Sequence, residues 1–304
     1  MSSSELSSTS MKHSLLKRWL RRLPLVTPLL NAKIMAEKAV QDITLLRASA
    51  MVEQEEKCRE EAIRSAGPRS LHAFEHRVYS QNGEDGVIQE IFARIGAPTK
   101  TFIEIGVGDG WENNTVFLIP FGWSGVWVDA DPSMSSTVAG WPADMKETLK
   151  FAVTKVTAEN VTAVLAGLGA SREPDLLSID VDQNTYHIWA AMQDWRPRVV
   201  VVEYNAFLPP SVDWKVAYDP NRVWDGSINY GASLKALERL ACRFGYRLVH
   251  CELAGVNAFF VRNDLVADSF NEPGTAEYHF ELPRRVRSLG TAPSSRVLLD
   301  REAG

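Results

Sequence analysis

The most distinctive residues in the sequence are three alternating glycines that directly follow a short apolar run. The run Phe102-Ile-Glu-Ile is typical of a buried strand, and Gly106, Gly108 and Gly110 come next at every second position. Glycine allows a sharp turn and a close approach of the backbone to a ligand, because it has no Cβ atom. Ligands of open α/β sheets bind beyond the carboxyl ends of the strands. The spacing therefore predicts a ligand site at the turn formed by residues 106–110, the glycine corner.

Acidic residues beside the glycines favour one class of ligand. Glu104 precedes the corner and Asp109 lies within it, whereas a dinucleotide-binding loop has the spacing G-x-G-x-x-G and receives a pyrophosphate. Carboxylates repel pyrophosphate and attract a positively charged sulfonium or amino group. The corner therefore favours S-adenosylmethionine over NAD. An NAD-dependent oxidoreductase, which requires a fully parallel sheet, is the alternative.

An acid at the end of the next apolar run is a candidate ribose ligand. The run Val126-Trp-Val ends in Asp129, which lies about 20 residues beyond the glycines, where such sheets place an acid that accepts hydrogen bonds from ribose hydroxyls. Asp129 is therefore predicted to bind the ribose of the cofactor.

Polar side chains also follow two later apolar runs. Asp180 and Asp182 follow one run, and Glu203 and Asn205 end the next. Residues two apart in an extended segment share one side, and neighbouring parallel strands end at the same rim. Carboxylate and amide oxygens suit Mg²⁺, Mn²⁺ or Ca²⁺, so these four residues form a candidate metal set. In the metal-free alternative, one acid is a general base and the others position the acceptor.

A hydroxyl becomes a good nucleophile only when its proton leaves. A carboxylate can take the proton, or a divalent ion can lower the pKa of the hydroxyl. Asp182 is the first candidate for either role, followed by Asp180 and Glu203. His187 lies a few residues further on, within a predicted helix, and is either an alternative base or an ordinary polar helix residue.

The elements that position these residues alternate between strands and helices. Continuously apolar runs are typical of parallel strands buried on both faces, and their alternation with helices predicts a Rossmann-like, doubly wound, mostly parallel sheet. Two last strands joined at Ala254-Gly255-Val256 predict an antiparallel hairpin. The predicted strands are 101–105, 125–129, 151–156, 176–180, 199–203, 246–253 and 257–261, and the helices are 160–167, 185–194 and 234–244.

Taken together, these motifs resemble the class I S-adenosylmethionine-dependent methyltransferases, and most of all their FkbM-type branch. The resemblance rests on the segment 79–92 (YSQNGEDGVIQEIF), the E-x-G-x-G-x-G loop, Asp129 and the hairpin, and it covers residues 74–265. It implies that Glu104 and the glycine loop contact the methionine part of the cofactor. It also implies O-methylation of a sugar or secondary-metabolite hydroxyl. Some class I O-methyltransferases, the catechol type, place metal ligands at the strand ends that correspond here to Asp180 and Asp182 and to Glu203 and Asn205.

Three further segments are given roles by this resemblance or by their composition. The helix before the first strand often closes over the cofactor, which makes Gln81 a candidate contact; the alternative is that Ser80, Glu84 and Asp85 cap that helix. Thr157 or Glu159 is a candidate to flank adenine. The long polar and aromatic stretch 207–231 is a candidate lid over the acceptor, or an ordinary surface loop.

Composition sets the remaining expectations. A net charge of −5 gives no indication of nucleic-acid binding, and three widely spaced cysteines indicate a reducing compartment, hence the cytoplasm.

Residues 11–23 predict a basic amphipathic helix that packs loosely on the main domain or lies on a membrane surface; a secretory signal is a weaker alternative. The predicted domains are a disordered and helical extension (1–73), the methyltransferase domain (74–270) and a tail (271–304). A non-catalytic scaffold attached through the N-terminal helix is the third functional class.

Overall fold

The structure is a computed structural model that describes residues 32–33, 35–36, 38–40, 43, 46, 57, 59–65 and 67–283. The chain divides into two compact units, Met1–Glu60 and Glu61–Gly304. All described positions of the first unit are helical. The predicted basic helix at 11–23 and most of the predicted tail lie outside the described residues. Among the helices of the described part, none is sufficiently long and apolar to cross a bilayer.

The second unit is built on a seven-stranded mixed sheet with the order β3-β2-β1-β4-β5-β7-β6. Strands β1 to β5 are parallel, and β7 pairs antiparallel with both β5 and β6. This confirms the predicted fold class and is inconsistent with the fully parallel sheet of the oxidoreductase alternative. The strands are β1 Thr101–Ile105, β2 Ser124–Asp129, β3 Leu149–Val153, β4 Leu176–Ile179, β5 Val199–Glu203, β6 Tyr246–Cys251 and β7 Asn257–Arg262.

Helices cover both faces of this sheet. Alternate residues of each strand point to opposite faces, so Val200 and Val202 of β5 belong to one apolar cluster, and Val199 and Val201 belong to the other. Burial of both faces explains the continuous apolar runs. The helices are α1 Glu84–Ile95, α2 Ser133–Ala139, α3 Ala143–Glu147, α4 Val161–Gly167, α5 Thr185–Ala191, α6 Leu234–Phe244, α7 Asn263–Val266 and α8 Ala276–His279.

Several segments differ from what the sequence pattern predicts. After Gly110, turns precede a 3₁₀ helix at Val116–Phe121. The Asn113 side chain accepts hydrogen bonds from two following amides, and Pro120 cannot continue an α-helix. The third strand ends at Val153 rather than 156. Residues 271–283, which belong to the predicted tail, include α8 and contact the core through a hydrogen bond from the Tyr204 hydroxyl to the Glu281 carbonyl at 2.8 Å.

Candidate functional site

The glycine corner joins the carboxyl ends of β1, β2 and β4. Gly106 has φ +88°, and its amide donates to the Val128 carbonyl at 2.9 Å. A Cβ atom on Gly106 would lie 1.6 Å from the carbonyl oxygen of Asp180. Only glycine fits there, because the position needs both a left-handed backbone and direct contact with the neighbouring strand. Gly108 and Gly110 also have positive φ angles; Gly108 is exposed, whereas Gly110 is buried near the side chains of Trp127 and Thr137.

Asp129, the last residue of β2, lies beside the glycine corner. One carboxylate oxygen accepts a hydrogen bond from the Gly108 amide at 2.7 Å, and the other accepts from the Asp131 amide at 2.7 Å. These bonds fix the direction of the carboxylate, which lines a cavity of about 280 Å³. Each oxygen retains acceptor capacity for a ligand hydroxyl.

The cavity lies beyond the carboxyl ends of β1 to β4, where ligands of open α/β sheets bind. Gln183 is the most informative of its lining residues: the residue is 2% exposed, and neither atom of its side-chain amide has a hydrogen-bond partner within the described part of the chain. Such a buried amide is costly unless a ligand or water satisfies it. The lining comprises Ile105, Gly106, Val128–Ala130, Thr154–Val156, Asp180–Asn184 and Arg222–Trp224.

Glu104 is buried beneath the corner. Its two oxygens accept hydrogen bonds from the Asn114 amide at 2.9 Å and the Thr115 hydroxyl at 2.5 Å, and Thr115 in turn accepts from the Trp127 indole at 2.8 Å. Glu104 thus fixes the segment that follows the glycines. Burial raises the pKa of Glu104 to about 7, and its hydrogen bonds offset that effect only in part.

This raised pKa predicts that stability falls as pH rises. Below pH 4.5 the carboxyl is protonated in both states; between 4.5 and about 7 only the unfolded chain releases the proton, so the folded state loses up to about 3 kcal/mol across this range. We expect Glu104→Gln to remove this loss. Urea unfolding of both proteins at pH 5 and pH 8 measures it: the variant should gain on the wild type at pH 8. An equal or opposite change would contradict a raised pKa.

Three carboxylates converge on one side of the cavity. Oxygens of Asp180, Asp182 and Glu203 all lie within 4.8 Å of one another. Asp182 has φ +55°, so a turn after β4 brings it to this point, rather than the strand alternation on which the sequence argument relied. A non-glycine residue in the left-handed region costs about 1 kcal/mol or more, and such strain is concentrated at functional sites.

Asn205 and His187 have other contacts. The Asn205 amide nitrogen donates to the carbonyls of Ile228 and Tyr230 at 2.7 and 2.9 Å, and its oxygen accepts from the Phe207 amide. The His187 Nε2 atom lies 2.8 Å from the Val216 carbonyl, and burial lowers the pKa of this imidazole. Both side chains therefore hold the long loop 207–231, and neither lines the cavity.

The long loop reaches the cavity at one end. Arg222, Val223 and Trp224 line it, while the Tyr218 hydroxyl donates to the Glu159 carboxylate at 2.5 Å and anchors the loop beside α4. The adenine-flanking candidates Thr157 and Glu159 lie just beyond the lining residues Thr154–Val156. Gln81 is exposed before α1, and Ser80 accepts from the Asp85 amide at 3.1 Å, as the capping alternative requires.

No protein-family model and no curated protein matches the chain. Solved structures resemble it at low identity. A magnesium protoporphyrin IX methyltransferase from Synechocystis PCC 6803 with bound S-adenosylhomocysteine is 10% identical, with a TM-score of 0.40, over 68% of this chain and 94% of its own. A Clostridium acetobutylicum S-adenosylmethionine-dependent methyltransferase is 13% identical, with a TM-score of 0.39, over 69% and 98%. The glycopeptide N-methyltransferase MtfA with S-adenosylmethionine is 12% identical, with a TM-score of 0.35, over 67% and 96%.

Proposed function

We propose that this chain is an S-adenosylmethionine-dependent methyltransferase that methylates a hydroxyl of a small polar acceptor, such as a sugar or another secondary metabolite. One observation carries the proposal: Gly106, the fixed Asp129 carboxylate, Asp180 and Asp182 line the same cavity beyond the sheet, and the Glu203 carboxylate converges with those of Asp180 and Asp182. The sequence resemblance supports the FkbM-type branch, and the few cysteines support a cytoplasmic location.

The residues of the cavity suit the proposed cofactor. S-adenosylmethionine supplies, when bound, a methyl group on a positively charged sulfur. Asp129 would accept hydrogen bonds from the ribose hydroxyls, and the exposed backbone at Gly106 and Gly108 would receive the methionine part. The adenine ring of the cofactor would then lie against the unsatisfied Gln183 amide and the Thr154–Val156 segment, which supply polar and apolar lining. The negative side chains at this rim favour a cation over a pyrophosphate.

The converging acids would prepare the acceptor. Asp182, the most exposed of the three, would take the proton from the hydroxyl, while Asp180 and Glu203 orient it. Their oxygens also fit Mg²⁺, which prefers carboxylate ligands and keeps several waters; when bound there, it would lower the pKa of the hydroxyl. Methyl transfer then depends mainly on holding the nucleophile in line with the donor.

The loop 207–231 would contribute to the choice of acceptor. Trp224 lines the cavity and packs edge-on against Tyr230, with ring centroids 6.1 Å apart. Aromatic faces at a cavity mouth suit the apolar faces of sugars and other rings. This arrangement favours a small-molecule or glycan acceptor.

Titration of the purified full chain with S-adenosylmethionine, and separately with NAD⁺, tests the proposal. We expect Asp129→Ala to weaken S-adenosylmethionine binding by about 100-fold, because the loss of charge-assisted hydrogen bonds to the ribose costs about 3 kcal/mol. Asp131→Ala is the matched control, since this exposed acid caps the Ser133 amide outside the cavity lining and should leave affinity nearly unchanged. Tighter binding of NAD⁺ than of S-adenosylmethionine would overturn the proposed function.

A further inference from the structure

A second group of titratable side chains surrounds a separate cavity. This cavity of about 220 Å³ shares no lining residue with the cofactor cavity. It lies between the segment before α1, strand β6 and the residues around α8. Three of the six histidines of the chain line it: His72, His250 and His279. The proposed methyl transfer uses none of them.

Two of these histidines meet on one carboxylate. The His72 Nδ1 and His250 Nε2 atoms each lie 3.0 Å from the same oxygen of Glu75, and the three ligand atoms all lie within 4.8 Å of one another. Zinc binds histidine nitrogen and carboxylate oxygen at about 2.0–2.2 Å, so adjacent ligands of a tetrahedral ion are a little over 3 Å apart. The side chains therefore need only small adjustments to bind an ion.

Neighbouring groups hold the Glu75 carboxylate and the His72 imidazole in place, as the residues around a metal site hold its ligands. The Leu253 amide donates to both Glu75 oxygens at 3.2 Å, and the His72 Nε2 atom lies 3.7 Å from a Glu281 oxygen. A histidine that binds a metal through one nitrogen typically directs the other to a carboxylate or carbonyl. His72 has this arrangement, with Nδ1 toward the cluster and Nε2 toward Glu281.

A third histidine provides an independent indication of a ligand. The His279 Nε2 atom is buried and has no hydrogen-bond partner within the described residues, although the ring lines the same cavity. Burial lowers the pKa of His279 to about 3 and also lowers that of His250. Burial tends to raise the pKa of Glu75, but hydrogen bonds from His250 and His72 outweigh it and bring the value to about 2.

We propose that His72, Glu75 and His250 bind a zinc ion whose fourth coordination position faces the cavity lined by His279. Two imidazoles and one carboxylate are a donor set that suits Zn²⁺ better than Mg²⁺ or Ca²⁺. Each imidazole then carries its ring proton on the nitrogen that faces away from the ion, which for His72 is the Nε2 atom beside Glu281. The ion joins the segment before α1 to β6, which are about 175 residues apart in sequence, and so fixes the N-terminal edge of the domain independently of the cofactor site.

Zn²⁺ binding to the full chain tests this site. After chelator treatment and dialysis, Zn²⁺ is titrated against a chromophoric competitor, and Co²⁺ is used as a spectroscopic probe. We expect one Zn²⁺ per chain from this site and a visible Co²⁺ band typical of low coordination number. His250→Gln and His72→Gln should each weaken Zn²⁺ binding by at least ~100-fold, the upper range for loss of outer-shell partners alone.

Two control variants make the result specific. His76→Gln changes a neighbouring exposed histidine whose Nδ1 atom faces the Phe74 carbonyl, and Asp182→Asn changes the separate acidic cluster; both should retain the Zn²⁺ affinity and the Co²⁺ band. If His250→Gln does not fold, His72→Gln remains as the test, because its side chain is partly exposed. Equal Zn²⁺ affinity in the wild type and His72→Gln, or no Co²⁺ band in the wild type, would show that the cluster is only a hydrogen-bond network.

Discussion

Asp182→Asn is expected to lower the rate of methyl transfer by about 10²–10⁴-fold, the usual contribution of a general base, while S-adenosylmethionine still binds. Asparagine keeps the size of the side chain but cannot take a proton from the acceptor hydroxyl. The Asp182 carboxylate lies within 4.8 Å of those of Asp180 and Glu203, so the variant removes one member of a group that acts together. Transfer of a labelled methyl group to a panel of sugars and hydroxylated small molecules measures the rate, and calorimetry measures cofactor affinity.

Asp194→Asn is the matched control, because this acid is exposed just beyond α5 and does not line the cavity. It should leave the rate unchanged. Repeating the assay after chelation and with added Mg²⁺ separates the two chemical roles. If Mg²⁺ restores the transfer rate of the wild type but not that of Asp182→Asn, the acidic cluster holds an ion. If chelation leaves the wild-type rate unchanged, Asp182 acts as a base. A transfer rate for Asp182→Asn equal to that of the wild type would rule out both.

Gly106→Ala should have the largest effect on stability. The added methyl carbon would lie 1.6 Å from the Asp180 carbonyl oxygen, and the backbone at φ +88° is unfavourable for alanine. Strand β4 or the corner must move, which we expect to lower the free energy of unfolding by about 3 kcal/mol or more. Because Asp180 is part of the displaced segment, cofactor binding should be lost as well. Urea unfolding and S-adenosylmethionine titration measure the two effects.

Gly167→Ala provides the comparison at a permissive glycine. This residue ends α4, has no atoms within 4 Å of a built Cβ and lies in a helical backbone, where alanine is favoured by about 0.5–1 kcal/mol. It should be neutral or slightly stabilising and retain cofactor binding. If Gly106→Ala behaved like Gly167→Ala, the close contact between the corner and β4 would be wrong.

Local signals made much of the sheet predictable. β1 and β5 match their predicted bounds, because apolar residues on both faces leave no ambiguity about burial. The helix α6 also matches, and its ends show why: the Ser233 hydroxyl accepts from the Ala236 amide at 3.2 Å, and Gly245 ends the helix with φ +81°. Such caps are encoded within a few residues.

Features that depend on distant contacts could not be predicted in this way. The sequence placed Asn205 at an acidic rim, but nothing within that strand shows that its amide holds carbonyls more than 20 residues later. The pairing of Glu75 with His250 likewise depends on the packing of the segment before α1 against β6. The spacing of Glu75 and His250 in the sequence does not reveal that these distant residues meet.

The position of β7 between β5 and β6 has a consequence during synthesis of the chain. One edge of β5, which contains four consecutive valines, lacks its neighbouring strand until residues 257–262 of β7 leave the ribosome. A domain completes its strand pairing only when its last strand is available. An unpaired apolar edge is a template for aggregation. Nascent or truncated chains that stop before this point should therefore depend on chaperones, whereas chains that include β7 should become protease-resistant in a single step.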